Sequence, residues 1–250
     1  MASTEGSGHV SRGAFIVLEG LDRSGKTTQV KLLEERLTQA GKKVQVMRFP
    51  DRTTTIGKMI DSYLKSNTEM DDHVIHLLFS ANRWEAAKTI EKTLAAGITI
   101  ISDRYYHSGI VYSAAKQNPS LPLTWARSPE RGLPRPDLVL FLDLTAAQAQ
   151  TRGGFGEEVY EKEAMQKRVR ELFWALSMGG KDAHAEEILG REEAGRLKEG
   201  GVWRQEEEDL VVVDAGGSVE DAKGEIWRRV EERVERVVKG ELGAEVRRIQ

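Results

Sequence analysis

Apolar residues recur along this chain with two different periods, and the way the periods alternate predicts its architecture. Five short runs rich in β-branched and apolar residues, Ala14 to Glu19, Val44 to Arg48, Ile98 to Ser102, Leu138 to Asp143 and Leu210 to Asp214, have the length of strands. Stretches with helical spacing separate them, and strands that alternate with helices imply a parallel sheet covered on both faces. The first helix is predicted to open at a glycine-rich turn and run to Ala40. Val30, Leu33, Leu37 and Ala40 share one face, and Gly41 is placed to end the helix. The return strand at Val44 completes the unit that a right-handed crossover requires. A long helix is predicted from Asp72 to about Ala96, capped by Asp71 or Asp72, uninterrupted by proline or glycine, and closed by Gly97.

Elsewhere the pattern weakens. Lys116 to Pro136 holds all but one of the prolines and reads as an irregular loop with turns. Residues 179–208 are charged and punctuated by glycine, with few large apolar side chains. They suit a solvated helix or a mobile insertion, and the composition leans toward the insertion. Residues 1–12 are mostly small or polar and read as a disordered arm ahead of a single domain at 13–250.

Composition narrows the functional classes. Lys plus Arg number 37 against 40 Asp plus Glu, a formal charge of −3, so no global basic field suggests nucleic acid as a partner. An anionic ligand has to be caught by local charge. No cysteine is present, which excludes disulfides and thiolate zinc sites and is compatible with a reducing compartment; a metal, if used, would be a hard, oxygen-bound ion. The apolar runs fall far short of the ~20 residues a membrane-spanning helix needs, so no membrane association is expected.

Gly20-Leu21-Asp22-Arg23-Ser24-Gly25-Lys26-Thr27 fits the phosphate-binding pattern G-x-x-x-x-G-K-[ST], and it sits directly after a strand and at the start of a helix. Glycines let backbone N–H groups converge on phosphate oxygens, the helix N-terminus adds positive potential, Lys26 neutralises the β- and γ-phosphates, and the Thr27 hydroxyl can ligate Mg²⁺. The bland alternative, a glycine-rich turn without chemical role, needs strand, spacing and helix to coincide by chance. A GTPase is the first rival, but no N-K-x-D segment follows the later strands, and Arg23 inside the loop is unusual for a switch protein.

Five segments, Phe15 to Thr28, Phe49 to Arg52, Leu77 to Trp84, Asp103 to Tyr105 and Pro136 to Leu142, resemble the thymidylate kinases in order and spacing. The resemblance covers about residues 13–178 and resumes at Leu210. It implies the nucleoside monophosphate kinase type of P-loop NTPase: a three-layer α/β sandwich with a five-stranded parallel sheet, Mg-ATP as donor, dTMP as acceptor, dTDP as product, a homodimer, and a cytoplasmic or nuclear location. ATP would meet Gly20 to Thr28 and Arg152. On the acceptor side the family places Asp22, Phe49, Arg52, Phe79, Arg83, Arg104, Ser108, Gly109, Tyr112 and Tyr160 about dTMP, and Asp103 with Thr27 next to the metal.

Residue chemistry is consistent with these roles. Phe79 and Arg83 lie four apart on the long helix, so a ring can stack on a base while a guanidinium donates to a carbonyl at its edge. On the helix alone, a core phenylalanine and a surface arginine would be the commoner meaning of that pair. Arg52 and Arg104 follow strands beside the phosphate loop, where open α/β sheets bind ligands, and two guanidinium forks suit a dianion. A phosphate monoester is mostly dianionic at neutral pH and needs no strong base, so Asp22 is not expected to be one. The resemblance instead turns Asp22 toward the 3′-hydroxyl and makes Arg23 an arginine finger in cis, with Lys26 and Arg104 as further catalytic groups. The aromatic at Tyr112 would crowd C2′ of a ribose. Residues 152–160 resemble a lid whose glycines allow closure over the γ-phosphoryl group; Val159 departs from the basic residue many relatives place before the tyrosine. Another nucleoside or nucleotide kinase of the same fold and a nucleotide-sensing module that hydrolyses ATP or GTP slowly are the remaining alternatives.

Overall fold

The computed structural model describes residues 12–145, 148, 159–160, 162–179, 183–198 and 203–250. Strands β1 (Phe15–Gly20), β2 (Val44–Arg48), β3 (Thr99–Asp103), β4 (Leu138–Asp143) and β5 (Leu210–Asp214) form one parallel sheet in the order β2-β3-β1-β4-β5. The predicted runs match these strands to within a residue at each end. In the register, Leu18 pairs with Asp103 of β3 and Gly20 with Leu142 of β4, so the end of β1 opens between its two neighbours. The chain crosses to β2 and β3 on one side of β1 and to β4 and β5 on the other, which creates the crevice at the strands' carboxyl ends where such sheets bind ligands.

Helices α1 (Lys26–Gln39), α2 (Thr55–Leu64), α3 (Asp72–Ala95), α4 (Tyr106–Ala114), α5 (Leu123–Arg127), α6 (Glu163–Ser177), α7 (Ala183–Leu189), α8 (Arg191–Lys198), α9 (Arg204–Asp209) and α10 (Val219–Val238) complete the described elements, with a short 3₁₀ turn at Ser128–Glu130. Alternation along β1 sends Ile16 and Leu18 to one face, against Leu33 and Leu37 of α1 and Ile226 and Val230 of α10. Phe15 and Val17 face the other way, into a larger core with Ile90, Tyr105, Phe141 and Phe173. Both ends of the long helix follow the sequence signals: the Asp71 carboxylate accepts from His73 N at 2.8 Å, and Gly97, at φ 76°, ends the last turn. The capping box of α10, Ser218 with Asp221, was not singled out by the sequence reading.

Three expectations change. Arg12, read as part of the N-terminal arm, is buried instead, and its guanidinium pairs with both oxygens of Asp137 at 2.7 Å; residues 1–11 lie outside the described ones. Within the proline-rich loop, Leu123–Arg127 is helical and Ser128–Glu130 forms the 3₁₀ turn. The glycine-punctuated segment is not simply a mobile insertion: its described residues form α7, α8 and α9 and bury Ala185, Ala194, Trp203 and Glu206. The reason is a long-range charge partner. Arg127 Nε donates to Glu206 at 2.9 Å while its guanidinium lies over the Trp203 ring at 5.2 Å, so a residue that reads as solvated is a buried anchor.

Candidate active site

At the carboxyl ends of β1 and β3 lies a cavity of about 590 Å³, with the phosphate loop at one end and α3 and α4 at the other. That volume suits a nucleotide-sized ligand. The loop is shaped locally: Gly25 caps α1 at φ 89°, a left-handed conformation that disfavours side chains, and buried Leu21 packs the loop onto the larger core. Gly20 and Ser24 sit beneath, where a Cβ on Gly20 would come within 2.5 Å of Ser24 Oγ. Arg23 and Arg104 each hold φ at 68°, in the region where non-glycine residues are strained and which recurs at functional sites.

Lys26 reaches back over the loop, donating to Leu21 O at 2.6 Å and Gly20 O at 3.1 Å. Burial and then the charge of Arg104 pull its ammonium down to about 8, against the opposing pull of Asp22, Asp103 and Glu19. Thr27 and Thr28 open onto the cavity, and the Thr27 hydroxyl donates to Asp103 Oδ2 at 3.1 Å. Two hard oxygens thus stand together beside the loop, which fits Mg²⁺: this ion takes one or two protein oxygens and completes its shell with phosphate and water.

Arg104 is the hub. Its Nη2 donates to Asp22 Oδ1 at 2.6 Å, and its Nη1 donates to Gly20 O and to Ser108 Oγ, each at 3.0 Å. Its guanidinium also lies 5.4 Å from the centre of the Tyr112 ring. Burial opposes the charge on Asp22, but Arg104 and then Lys26 outweigh it and hold the carboxyl below its ordinary range. Arg52 lines the same cavity and pairs with Asp61 at 2.7 Å.

Farther in, Phe79 and Arg83 both line the cavity, as expected from their spacing, but Arg83 is no surface charge. It is 2% exposed, and its Nε donates to Glu130 Oε2 at 2.9 Å while Nη2 donates to Oε1. Gly109 lies against it: a Cβ there would come 2.5 Å from Nη2. Tyr112 and Tyr160 meet with ring centres 5.3 Å apart, and Phe49 packs on Tyr105 beside them. Val159 packs with the α2–α3 cluster and donates its N–H to Leu64 O at 3.1 Å, so the position that departs from the basic pattern serves as an apolar anchor. Arg152 and the rest of the lid before Val159 lie outside the described residues.

The sequence reading missed three site residues. Glu19 is fully buried at the end of β1; it accepts from Tyr105 N at 2.9 Å and Ser108 N at 3.1 Å, bracing the turn that carries Arg104. Burial raises its carboxyl above the ordinary range in spite of Arg104 and Ser108. A glutamate inside an otherwise apolar strand was the available signal. Gln166 links the loop to the lid's end, its Nε2 donating to Asp22 Oδ2 at 3.1 Å and Tyr160 O at 2.7 Å. Its signal was a lone polar position on the face that Val169, Phe173 and Leu176 make apolar. Glu130, in a stretch read as irregular, carried none.

Comparison with known proteins gives the chain's family. The thymidylate kinase family profile matches residues 18–187. A thymidylate kinase of Schizosaccharomyces pombe is 46% identical over 216 residues, covering 86% of this chain and 90% of that protein. A human thymidylate kinase is 50% identical over 165 residues, 66% of this chain and 77% of that protein. Among solved structures, a thymidylate kinase from Candida albicans superposes with a TM-score of 0.74 at 32% identity, covering 96% of this chain and 99% of the other.

Proposed function

The chain belongs to the thymidylate kinase family and is a phosphotransferase acting on dTMP, and we propose that the 590 Å³ cavity carries out this transfer from ATP with the following division of labour. The single observation that carries the reading is continuity: one cavity runs from Lys26 and Thr27 to Phe79 and Arg83, so donor and acceptor face each other across Arg104.

ATP lays its phosphates on the amides of the Gly20–Thr28 loop, where Lys26 exchanges the carbonyls of Gly20 and Leu21 for β- and γ-phosphate oxygens. The dTMP base stacks on Phe79 and accepts from Arg83, Tyr112 lies against the sugar, and Asp22, which lines the cavity from within the loop, accepts from the 3′-hydroxyl. Arg52 and Arg104 grip the dianionic phosphate. An oxygen of that phosphate then attacks the γ-phosphorus as the bond to the β–γ bridging oxygen breaks, leaving ADP and dTDP. No side chain has to remove a proton, since the attacking group is already ionised at neutral pH. The residues contribute position and charge: Lys26, Arg23 and Arg104 surround the phosphoryl group as its negative charge spreads over the equatorial oxygens. Thr27 and Asp103 would hold Mg²⁺, which supplies further neutralisation of phosphate charge when bound.

A second copy of the chain is the proposed partner. Val74, Leu77 and Trp84 on α3 are each more than two-fifths exposed, an apolar stripe on a helix that otherwise covers the core. Light scattering on the purified protein tests it, a monomer at micromolar concentration being the contrary result. For the reaction itself, a coupled assay over dTMP, dUMP, UMP and thymidine should show ADP release with dTMP foremost. Absence of dTDP formation, or no preference among the four, would sink the reading.

A further inference from the structure

We propose that Glu130 is the positioning residue that sets base selectivity, holding Arg83 as a fixed, charge-neutral donor array at the inner end of the cavity. The inference rests on the reading of Arg83 as the group that meets the base edge.

Arg83 has five N–H bonds. Glu130 takes Nε–H and one hydrogen of Nη2, in the side-on arrangement that fixes a guanidinium plane. Gly109 packs against the guanidinium, where a Cβ would come 2.5 Å from Nη2 and 3.1 Å from Nη1, so the plane has no room to turn. What remains for a ligand is the Nη1 end, which can only donate. A pyrimidine with a carbonyl at position 4 satisfies it, whereas one with an amino group there sets donor against donor.

Glu130 also cancels the charge. Both side chains of the pair are 3% exposed or less, and an uncompensated guanidinium in so dry a place would attract the phosphate of dTMP as strongly as its base. With the pair neutral, the cations that can exchange their partners for a phosphate, Lys26 and Arg104, lie at the loop end, which draws the phosphate of the nucleotide there and leaves the base for the inner end. The 3₁₀ turn that presents Glu130 is itself held: Pro129 O accepts from Trp84 Nε1 at 2.8 Å and from Ser80 Oγ at 3.3 Å, both on α3, the helix that carries Arg83. Arg127, one turn earlier, is locked by Glu206 of α9. The buried pair therefore links two elements already fastened to one another, which favours position over simple adhesion.

The test compares E130Q, E130D, R83A and the double variant R83A/E130Q in steady-state assays with dTMP, dUMP and dCMP, with melting curves for each. E130Q keeps the volume but supplies an N–H where Arg83 needs an acceptor. It is expected to raise KM for dTMP roughly tenfold and to lower the dTMP-to-dCMP preference by a similar factor, while KM for ATP stays as in the parent. E130D, which keeps the charge one methylene short, should fall between, and it carries the test if E130Q does not fold. In the R83A background E130Q should add no further loss, which a merely structural role would not predict. Unchanged KM and preference in E130Q and E130D, or additive losses in the double variant, would overturn the inference. An R83A protein indistinguishable from the parent would overturn the base assignment as well, whereas an impaired R83A beside unimpaired Glu130 variants overturns this inference alone.

Discussion

Two arginine–carboxylate pairs stand at opposite ends of the same cavity and are built differently. Arg83 and Glu130 have side chains 3% and 0% exposed, and Glu130 meets two nitrogens of the guanidinium. Arg104 and Asp22 are 17% and 34% exposed and share a single short contact, the other donors of Arg104 resting on a backbone carbonyl and a serine. Burial makes the first pair expensive to break, since either charge left alone would be desolvated without compensation. The second pair is better reached by water, so its exchange for a phosphate costs less than separating the first would. The difference sorts the cations of the site into those that give shape and those that change partners on binding. Lys26 is of the second kind: its contacts are carbonyls that an anion can displace.

The sharpest way to break this division is through Arg23, which belongs to the loop and not to either pair. If charge on the transferring phosphoryl group is the main catalytic need, Arg23→Ala should lower kcat by ~10³ with dTMP affinity nearly unchanged; unaltered turnover in single-turnover and steady-state assays would remove the arginine finger from the scheme. Next, Arg83→Met should cost about 3 kcal/mol of folding stability by leaving Glu130 buried and unpaired, whereas Arg104→Met should cost about 1 kcal/mol or less. Urea unfolding of the two variants checks the ratio, and equal losses would erase the distinction. Arg104→Met should nonetheless raise KM for dTMP by roughly tenfold or more through loss of charged hydrogen bonds to phosphate.

The mildest expected effect is on pH. Lys26 sits near 8 without ligand, and phosphates favour its charged form. Below that value the lysine is already protonated and binding takes up no proton. Above it, binding must restore the proton, so affinity falls as pH rises, by roughly tenfold from pH 8 to pH 9 at most. Titration of a non-hydrolysable ATP analogue at pH 7 and pH 9 measures it. dTMP, gripped by Arg104, whose guanidinium in spite of burial is held above its ordinary range by Tyr112 and Asp22, should keep its affinity over the same interval, and a parallel decline for both ligands would contradict the assignment.

The strands, the long helix and the phosphate loop could be read directly from the chain because each is written in neighbouring residues. β-Branched runs, Asp71 before α3, Gly41 and Gly97 after their helices, and the Gly20-to-Thr27 spacing all act within a few positions, and local sterics and hydrogen bonds decide them. Resemblance to a family then supplied Phe79, Arg52, Arg104 and Tyr112, which pattern alone leaves ambiguous.

What only the tertiary structure decided are the partners of buried charges. Glu130 lies 47 residues from Arg83, Glu206 lies 79 from Arg127, and Gln166 lies 144 from Asp22. A charged residue costs free energy inside a protein unless an opposite charge or hydrogen bond meets it there, and no rule of spacing announces a partner so distant. That is why the helix alone left Arg83 looking like a surface cation until the family resemblance placed it at the base, why Glu130 carried no signal at all, and why residues 179–208 read as a solvated helix or a mobile insertion until the fold brought their counterparts beside them.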